Sequence, residues 1–195
     1  MVGELNTKPT QHSVKNLLES GIQPDILVCR SEYPIGMDIR RKLSLFCNVP
    51  VNSVISSLDA ETIYDVPLMM RKEKLDERVL EKLKLPIKAE PKLDDWKEFL
   101  GRLKNPTKEV TIGLVGKYVE LHDAYKSIAE SFIHAGARNE CKVNVKWISS
   151  ERIEEEDITA LLDGLDGILI APGFGERGIE GKIHAAKYAR ENKIP

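Results

Sequence analysis

Short apolar runs alternate with amphipathic stretches along most of the chain, and this pattern predicts an α/β architecture. The runs that predict strands lie at residues 25–30, 54–55, 110–115, 142–148 and 166–171. Helical spacing of apolar residues predicts helices at 12–20, 37–46, 95–104, 123–136, 155–163 and 179–191. A further helical pattern covers residues 61–85, where we expect Pro67 to break it. Most of the strand candidates are continuously apolar, which favours parallel sheets covered by helices.

Each of the first two predicted helices has apolar residues on one face. They are Val14, Leu17 and Leu18 in the first helix and Ile39, Leu43 and Phe46 in the second. Gly21 follows the first helix and is a suitable residue to end it.

A charged segment with two prolines divides this pattern in two. Residues 84–94 contain Pro86 and Pro91 among charged side chains, which is typical of a linker. We therefore predict two partial Rossmann-like parallel-sheet domains at residues 1–83 and 109–195, joined by a linker with a short helix at 84–108. The last residues stop where another strand would begin, so we expect the chain to be part of a longer protein.

Composition narrows the function classes. The chain has 29 basic and 31 acidic residues and a net charge of −2, which argues against a nucleic-acid-binding protein. It has no apolar run near the roughly 18 residues of a membrane span and no signal-peptide pattern, so we expect no membrane partner and a cytoplasmic location. Cys29, Cys47 and Cys141 are too widely spaced for a zinc pair, and we expect all three to be reduced and structural.

The segment at residues 7–11, Thr-Lys-Pro-Thr-Gln, places an ammonium, two hydroxyls and an amide close together. Lys8 could meet a phosphate, and Gln11 could read a base or sugar edge. The Ser13 side chain could cap the helix that follows. The alternative is a polar loop before a helix, since such strings are common in turns.

The segment at residues 171–178, Ala-Pro-Gly-Phe-Gly-Glu-Arg-Gly, lies between a predicted strand and a predicted helix. Its glycines could let main-chain N–H groups face a ligand, as in an oxyanion hole, but an ordinary glycine-rich turn fits equally well. The Gly-Lys at 116–117 lacks the spacing of a phosphate-binding P-loop. For Lys117 and Lys126 we expect solvated positions.

Four strings in the chain resemble the CTP synthase family. They are residues 7–14, 21–31, 46–50 and 63–64, and the similarity covers most of residues 3–195. The resemblance implies an amidoligase domain joined to a class I glutamine amidotransferase domain. It also implies ATP-dependent amination of UTP to CTP with ammonia from glutamine, Mg²⁺ held outside this chain, allosteric activation by GTP, and a homotetramer.

The resemblance assigns two groups of nucleotide contacts. Contacts to UTP, or to CTP as feedback inhibitor, fall on Asn6, Thr7, Lys8, Pro9, Thr10, Gln11 and Lys42. Contacts to ATP fall on Arg30, Leu58, Asp59 and Ala60. Asn6 stands where the family commonly has a lysine, so the positive charge of that lysine is missing here.

Three of these residues also have ordinary structural interpretations. Lys42 could lie on a solvated helix face, Arg30 could form a salt bridge at a strand end, and Asp59 could cap the next helix.

The resemblance places glutamine contacts and one oxyanion donor on Gly173 and Phe174. Pro172 has no N–H, so Gly173 is the natural donor. The nucleophilic cysteine, its histidine and the glutamate would follow Pro195, and the synthetase phosphate loop and magnesium carboxylates would precede Met1. We therefore expect no catalytic residue and no metal ligand in this chain, and no activity from it alone. The alternative is a non-catalytic nucleotide-binding or interaction module derived from the family.

Overall fold

A computed structural model describes residues 6–195, which divide into two compact units, one ending at Lys92 and the other comprising Leu93–Pro195. Each unit contains a parallel sheet with helices packed against it. The predicted α/β class with two partial Rossmann-like parallel-sheet domains is confirmed. The predicted domain limits at 83 and 109 stay predictions. No helix within residues 6–195 is both long enough and apolar enough to cross a membrane.

The first unit has a two-stranded sheet in which β1 (Leu27–Ser31) pairs in parallel with β2 (Val54–Leu58). Helices α1 (Lys8–Glu19) and α2 (Met37–Cys47) pack beside it. The core between them consists of Val14, Leu27, Leu43, Cys47, Val49 and Val54. Gly21 has φ +79° just after α1, as expected of a residue that ends a helix.

The apolar faces of α1 and α2 are only partly buried. Leu17 and Leu18 are partly exposed, and Phe46 is largely exposed. In α2 the buried residues are Leu43 and Cys47. The buried stripe on each of these helices is therefore narrower than its apolar face.

The helical pattern at 61–85 breaks at a different place from the predicted one. Pro67 lies in the first turn of α3 (Val66–Lys72), where a missing N–H costs nothing, so the predicted break at Pro67 is wrong. The break comes at Lys74, which has φ 60° and precedes α4 (Leu75–Lys82). A short 3₁₀ turn at Ile63–Asp65 comes before α3.

Glu73, at the end of α3, connects this helix to the rest of the first unit. Its carboxylate pairs with the guanidinium of Arg40 at 2.8 Å and accepts the N–H of Ser56 at 3.0 Å. The hydrogen bond from Arg40 lowers the pKa of Glu73 below its ordinary value. Arg40 also donates to the carbonyl oxygens of Ile35 and Val54, at 3.0 and 2.8 Å, so it has a structural role.

The second unit has a three-stranded parallel sheet with the order β4-β3-β5. Its strands are β3 (Lys108–Gly116), β4 (Cys141–Ser149) and β5 (Gly167–Ile170). Its helices are α5 (Asp94–Lys104), α6 (Lys126–Arg138), α7 (Arg152–Glu155), α8 (Ile158–Leu162) and α9 (Ile179–Glu191). A 3₁₀ turn at His122–Tyr125 leads into α6. The helix predicted at 155–163 corresponds to α8, which begins three residues later, where Asp157 caps it, while the separate short helix α7 ends at Glu155.

Two apolar clusters hold the second unit together. One contains Val115, Ile148, Ile153, Leu161, Leu162, Leu165 and Ala185. The other contains Leu114, Val119, Tyr125 and Ala171. Both include a residue of β3, because the central strand has neighbours on each side and helices over it.

The three cysteines are free thiols. Burial raises the pKa of the Cys29 thiol, and the nearby Cys47 raises that pKa further. Burial also raises the pKa of the Cys47 thiol. A raised pKa lowers the fraction of reactive thiolate at neutral pH. Cys29 and Cys47 therefore have the character of packing residues.

Candidate functional site

The amino-terminal motif forms the start of α1, so its interpretation as a loop is wrong. Pro9 lies in the first turn, where proline is favoured, and Thr7 occupies the N-cap position. The Thr7 side chain is buried, and its Oγ1 accepts a hydrogen bond from Gln11 Nε2 at 3.0 Å. Asn6 Oδ1 accepts the N–H of Lys8 at 3.0 Å. These bonds fix the backbone of the motif and leave the Lys8 side chain exposed.

Ser13 does not cap the helix, contrary to prediction. It lies inside α1, and its hydroxyl donates to the carbonyl oxygen of Pro9 at 3.1 Å. The helix begins five residues earlier than Ser13 because Pro9 suits a first turn.

A groove of about 430 Å³ separates α1 from β1. Pro9 and Thr10 line it on the helix side, and Arg30 lines it at the end of the strand. The remaining lining residues are Ser13, Val14, Leu17, Pro24, Ile26, Leu27, Val28 and Cys29. The structure thus brings members of both predicted nucleotide groups to one groove.

Arg30 and Asp59 meet at the carboxyl ends of β1 and β2. Arg30 Nε lies 3.1 Å from Asp59 Oδ1, and their side chains are 85% and 56% exposed. The strand-end salt bridge is therefore present, but an exposed pair of this kind contributes little to stability. Ligands of open α/β sheets bind beyond the carboxyl ends of the strands, which is where this pair lies.

The other two predicted ATP contacts adjoin this pair. Leu58 is the last residue of β2, and Ala60 is exposed just after it. Asp59 does not cap a helix, so that alternative is wrong. Thr62 caps the 3₁₀ turn instead, in a capping box with Asp65.

Lys42 is exposed on α2, as its solvated interpretation expects. It is not among the residues that line the groove between α1 and β1. Its predicted contact with a nucleotide stays a prediction.

The second candidate site is the loop at residues 171–178, which connects β5 to α9. Its first residue is anchored to the sheet, because Ala171 donates its N–H to the carbonyl oxygen of Val115 at 2.8 Å. Gly175 and Gly178 have φ values of +81° and +68°, which favour glycine. Phe174, just before Gly175, is 100% exposed.

Lys117 and Lys182 both donate hydrogen bonds to carbonyl oxygens of this loop, and we call the two side chains the lysine clamp. Lys117 Nζ donates to the carbonyl oxygens of Phe174 and Gly175, both at 2.7 Å. Lys182 Nζ donates to the carbonyl oxygen of Ala171 at 2.8 Å. A Cβ added to Gly173 would lie 3.4 Å from Lys182 Nζ and 3.7 Å from Lys117 Cδ, so the clamp surrounds this glycine.

The solvated position expected for Lys117 is therefore wrong. Lys117 is only 7% exposed, and it follows β3 directly. Burial lowers the pKa of Lys182 below its ordinary value, and the positive charge of Lys117 lowers it further. The ammonium groups of Lys117 and Lys182 lie close together because both donate to carbonyl oxygens of the same loop.

Tyr125 fixes the turn from which Lys117 projects. Its hydroxyl accepts the N–H groups of Lys117 at 3.1 Å and of Tyr118 at 3.4 Å. A Cβ on Gly116 would lie 2.6 Å from this hydroxyl, so only glycine fits before Lys117. The ring of Tyr125 packs in turn against Trp147 on β4.

Sequence reasoning missed Lys182 and Tyr125 as contributors to the loop. The one available signal was the Gly-Lys pair at the carboxyl end of an apolar strand, a usual place for ligand-contacting groups. Lys182 gives no such signal, because a lysine in the first turns of a helix is common. Within residues 6–195 no group of three or more His, Cys, Asp or Glu side chains is arranged to hold a metal ion.

Comparison with known families and proteins gives matches for both units. Residues 1–85 match the family model of the CTP synthase N-terminus, and residues 120–195 match the model of class-I glutamine amidotransferases. The chain is 68% identical over 192 residues to CTP synthase from Cytophaga hutchinsonii, covering 98% of this chain and 36% of that protein. It is 60% identical over 199 residues to CTP synthase from Methanocaldococcus jannaschii, covering 99% of this chain and 37% of that protein. The chain therefore spans about a third of the length of the curated relatives it matches.

Proposed function

The chain belongs to the CTP synthase family, and on that premise we propose that the full-length protein aminates UTP to CTP, using ATP and glutamine. One observation supports this proposal above the others. The model of the CTP synthase N-terminus and the amidotransferase model match the same chain, in that order. Amidotransferase domains serve many syntheses, whereas the first model is specific to this one.

In this proposal the start of α1 holds the pyrimidine nucleotide. Asn6, Thr7, Lys8, Pro9, Thr10 and Gln11 contact UTP as substrate or CTP as inhibitor, together with Lys42. The bond between Thr7 and Gln11 supports this role, because it orders the motif before a ligand arrives. The exposed Lys8 ammonium supplies charge for the triphosphate.

ATP is proposed to bind beyond the carboxyl ends of β1 and β2. Arg30 would meet its phosphates, and Leu58, Asp59 and Ala60 would lie against its base. The exposure of the Arg30–Asp59 pair supports this, since a polyphosphate can displace one carboxylate from the guanidinium. Mg²⁺ would bind with ATP, held by carboxylates outside residues 1–195. We also propose that GTP activates the full-length protein, that the protein is a homotetramer, and that it is cytoplasmic.

Glutamine hydrolysis is proposed at the loop 171–178. Gly173 N–H would stabilise the oxyanion of the tetrahedral intermediate, and Phe174 would contact glutamine. The nucleophilic cysteine, histidine and glutamate would come from parts of the protein outside this chain. Ammonia released there would then serve the amination of UTP.

The direct test is an assay of the purified full-length protein with UTP, ATP and glutamine. We expect CTP and glutamate to form together, and we expect ammonia to replace glutamine as nitrogen source. The 195-residue chain alone is expected to form no CTP above a blank preparation. If the full-length protein binds these nucleotides but forms no CTP with either nitrogen source, it is a non-catalytic binding module and the proposal is wrong.

Lys8→Ala in the full-length protein is expected to weaken the apparent affinity for UTP and for CTP together. The ammonium is proposed to meet the triphosphate that both nucleotides share. Loss of one charge-assisted hydrogen bond typically costs about 1.5–3 kcal/mol, or roughly 10- to 100-fold in affinity. Substrate saturation curves and CTP inhibition curves measure the two affinities.

The matched control is Lys15→Ala on the same helix. Lys15 is exposed, and its one ion pair within residues 6–195 is with Glu19, at 3.8 Å. Its removal is expected to leave both affinities unchanged. If Lys8→Ala behaves like this control, Lys8 is only a surface residue of α1.

A further inference from the structure

The loop at residues 171–176 makes few main-chain hydrogen bonds of its own. At its start Ala171 N–H bonds to β3, and at its end the Glu176 carbonyl oxygen accepts the N–H of Ile179 at 3.2 Å. Within the part of the chain that the structure describes, the carbonyl oxygens of Ala171, Phe174 and Gly175 are held by the lysine clamp. The path of the loop between its two ends therefore depends on two side chains from other elements.

The direction of the clamped carbonyl groups fixes the direction of neighbouring N–H groups. A trans peptide is planar, so its C=O and its N–H point to opposite sides. The two carbonyls turned towards Lys117 belong to the peptides that contain the N–H groups of Gly175 and Glu176. Those N–H groups consequently point away from Lys117, towards the opposite side of the loop.

Gly173 lies between the clamped carbonyls of residues 171 and 174. Its peptide can turn only as far as these two fixed neighbours allow, and the side chains of Lys117 and Lys182 lie on the side to which a Cβ would point. A donor that stabilises an oxyanion must be held in place before the reaction, since reorientation during the reaction cancels the benefit. The lysine clamp supplies that constraint through its hydrogen bonds to the loop carbonyls.

We infer that Lys117, assisted by Lys182, is a positioning residue for glutamine hydrolysis: it orients the N–H groups of the loop at 171–176 towards the amide carbonyl of glutamine. This inference rests on the proposed function. Lys117 is 7% exposed, and two of its three N–H donors bond to loop carbonyls, so we assign it no contact with the substrate. Its effect should appear where the oxyanion develops, so it should lower kcat for glutamine and leave KM nearly unchanged.

The test uses Lys117→Met in the full-length protein, which keeps the length of the side chain and removes the donor. We expect kcat for glutamine-dependent CTP formation to fall roughly 10- to 100-fold, with KM for glutamine and ammonia-dependent formation close to wild type. Lys117→Arg should recover part of the loss, because a guanidinium can also donate to two carbonyls. The control is Lys187→Met, an exposed lysine of α9 whose one ion pair among the described residues is with Glu191 at 4.0 Å, and it should match wild type.

The outcomes separate this inference from the proposed function. A wild-type protein that does not hydrolyse glutamine overturns the proposed function and this inference with it. An active wild type whose Lys117→Met variant keeps its glutamine-dependent kcat, or loses activity equally with ammonia, overturns the inference alone. If Lys117→Met does not fold, Lys182→Met decides, since it removes only the bond to Ala171. A selective loss with glutamine in that variant supports the clamp, and wild-type behaviour overturns it.

Discussion

Gly173→Pro in the full-length protein is expected to lower glutamine-dependent CTP formation by about 100- to 1000-fold, the usual effect of losing one oxyanion donor. Proline removes the N–H at this position and restricts the backbone of the loop. Ammonia supplied directly bypasses glutamine hydrolysis, so ammonia-dependent CTP formation should largely survive. The measurement compares both nitrogen sources in the same purified variant.

Gly173→Ala is the matched control, because it keeps the N–H. The added Cβ would lie 3.4 Å from Lys182 Nζ, the flexible end of a side chain that can move slightly. We therefore expect Gly173→Ala to resemble wild type much more closely than Gly173→Pro does. Equal losses in the two variants would show that bulk matters here and the N–H does not. Equal losses with glutamine and ammonia would point to folding, and the oxyanion assignment would be withdrawn.

Gly181→Ala is expected to destabilise the second unit by about 3 kcal/mol. Gly181 is buried in the first turn of α9, and its N–H donates to Glu154 Oε1 at 3.0 Å. A Cβ there would overlap the carbonyl oxygen of Ser150, which belongs to the backbone and cannot move aside. The whole start of α9 would have to shift away from the end of β4.

The free energy of unfolding of the 195-residue chain can be measured by urea denaturation followed by tryptophan fluorescence. Both tryptophans, Trp96 and Trp147, lie in the second unit, so the signal reports this unit. Gly101→Ala in the middle of α5 is the control, since no atom lies within 4 Å of an added Cβ. Gly101→Ala should raise the free energy of unfolding by up to about 1 kcal/mol, because alanine favours a helix more than glycine does. A Gly181→Ala variant as stable as this control would contradict the close packing of α9.

The order and type of the elements could be predicted from the sequence, because apolar runs and helical periodicity report burial directly. The helix predicted at 179–191 has the bounds of α9. The errors have local causes. The sequence pattern suggests a helix break at Pro67 and allows a loop at Pro9, whereas both prolines lie in the first turn of a helix, where proline is favoured. The true break at Lys74 needs a left-handed residue, and a lysine gives no sign of that.

The positions of the candidate sites could be predicted from the sequence, but the contacts between their residues could not. Their residues lie where parallel strands end, and strand ends are visible as the limits of apolar runs. The approach of Thr10 to Arg30, and of Lys117 to Phe174, depends on how helices and loops pack across a sheet. Such contacts join residues far apart in the chain, and one sequence contains no pattern that reports them. The assignment of each residue to a particular nucleotide stays a prediction.

The central position of β3 has a consequence for synthesis on the ribosome. Both strands that flank β3 follow it in the chain, so β3 emerges before either of its neighbours exists. Until residues 141–149 and then 167–170 have left the exit tunnel, an apolar strand exposes two unpaired edges. Such non-local pairing is slow, and an open strand edge is a template for aggregation. We therefore expect the nascent second unit to be most prone to aggregation in the interval before β4 pairs with β3.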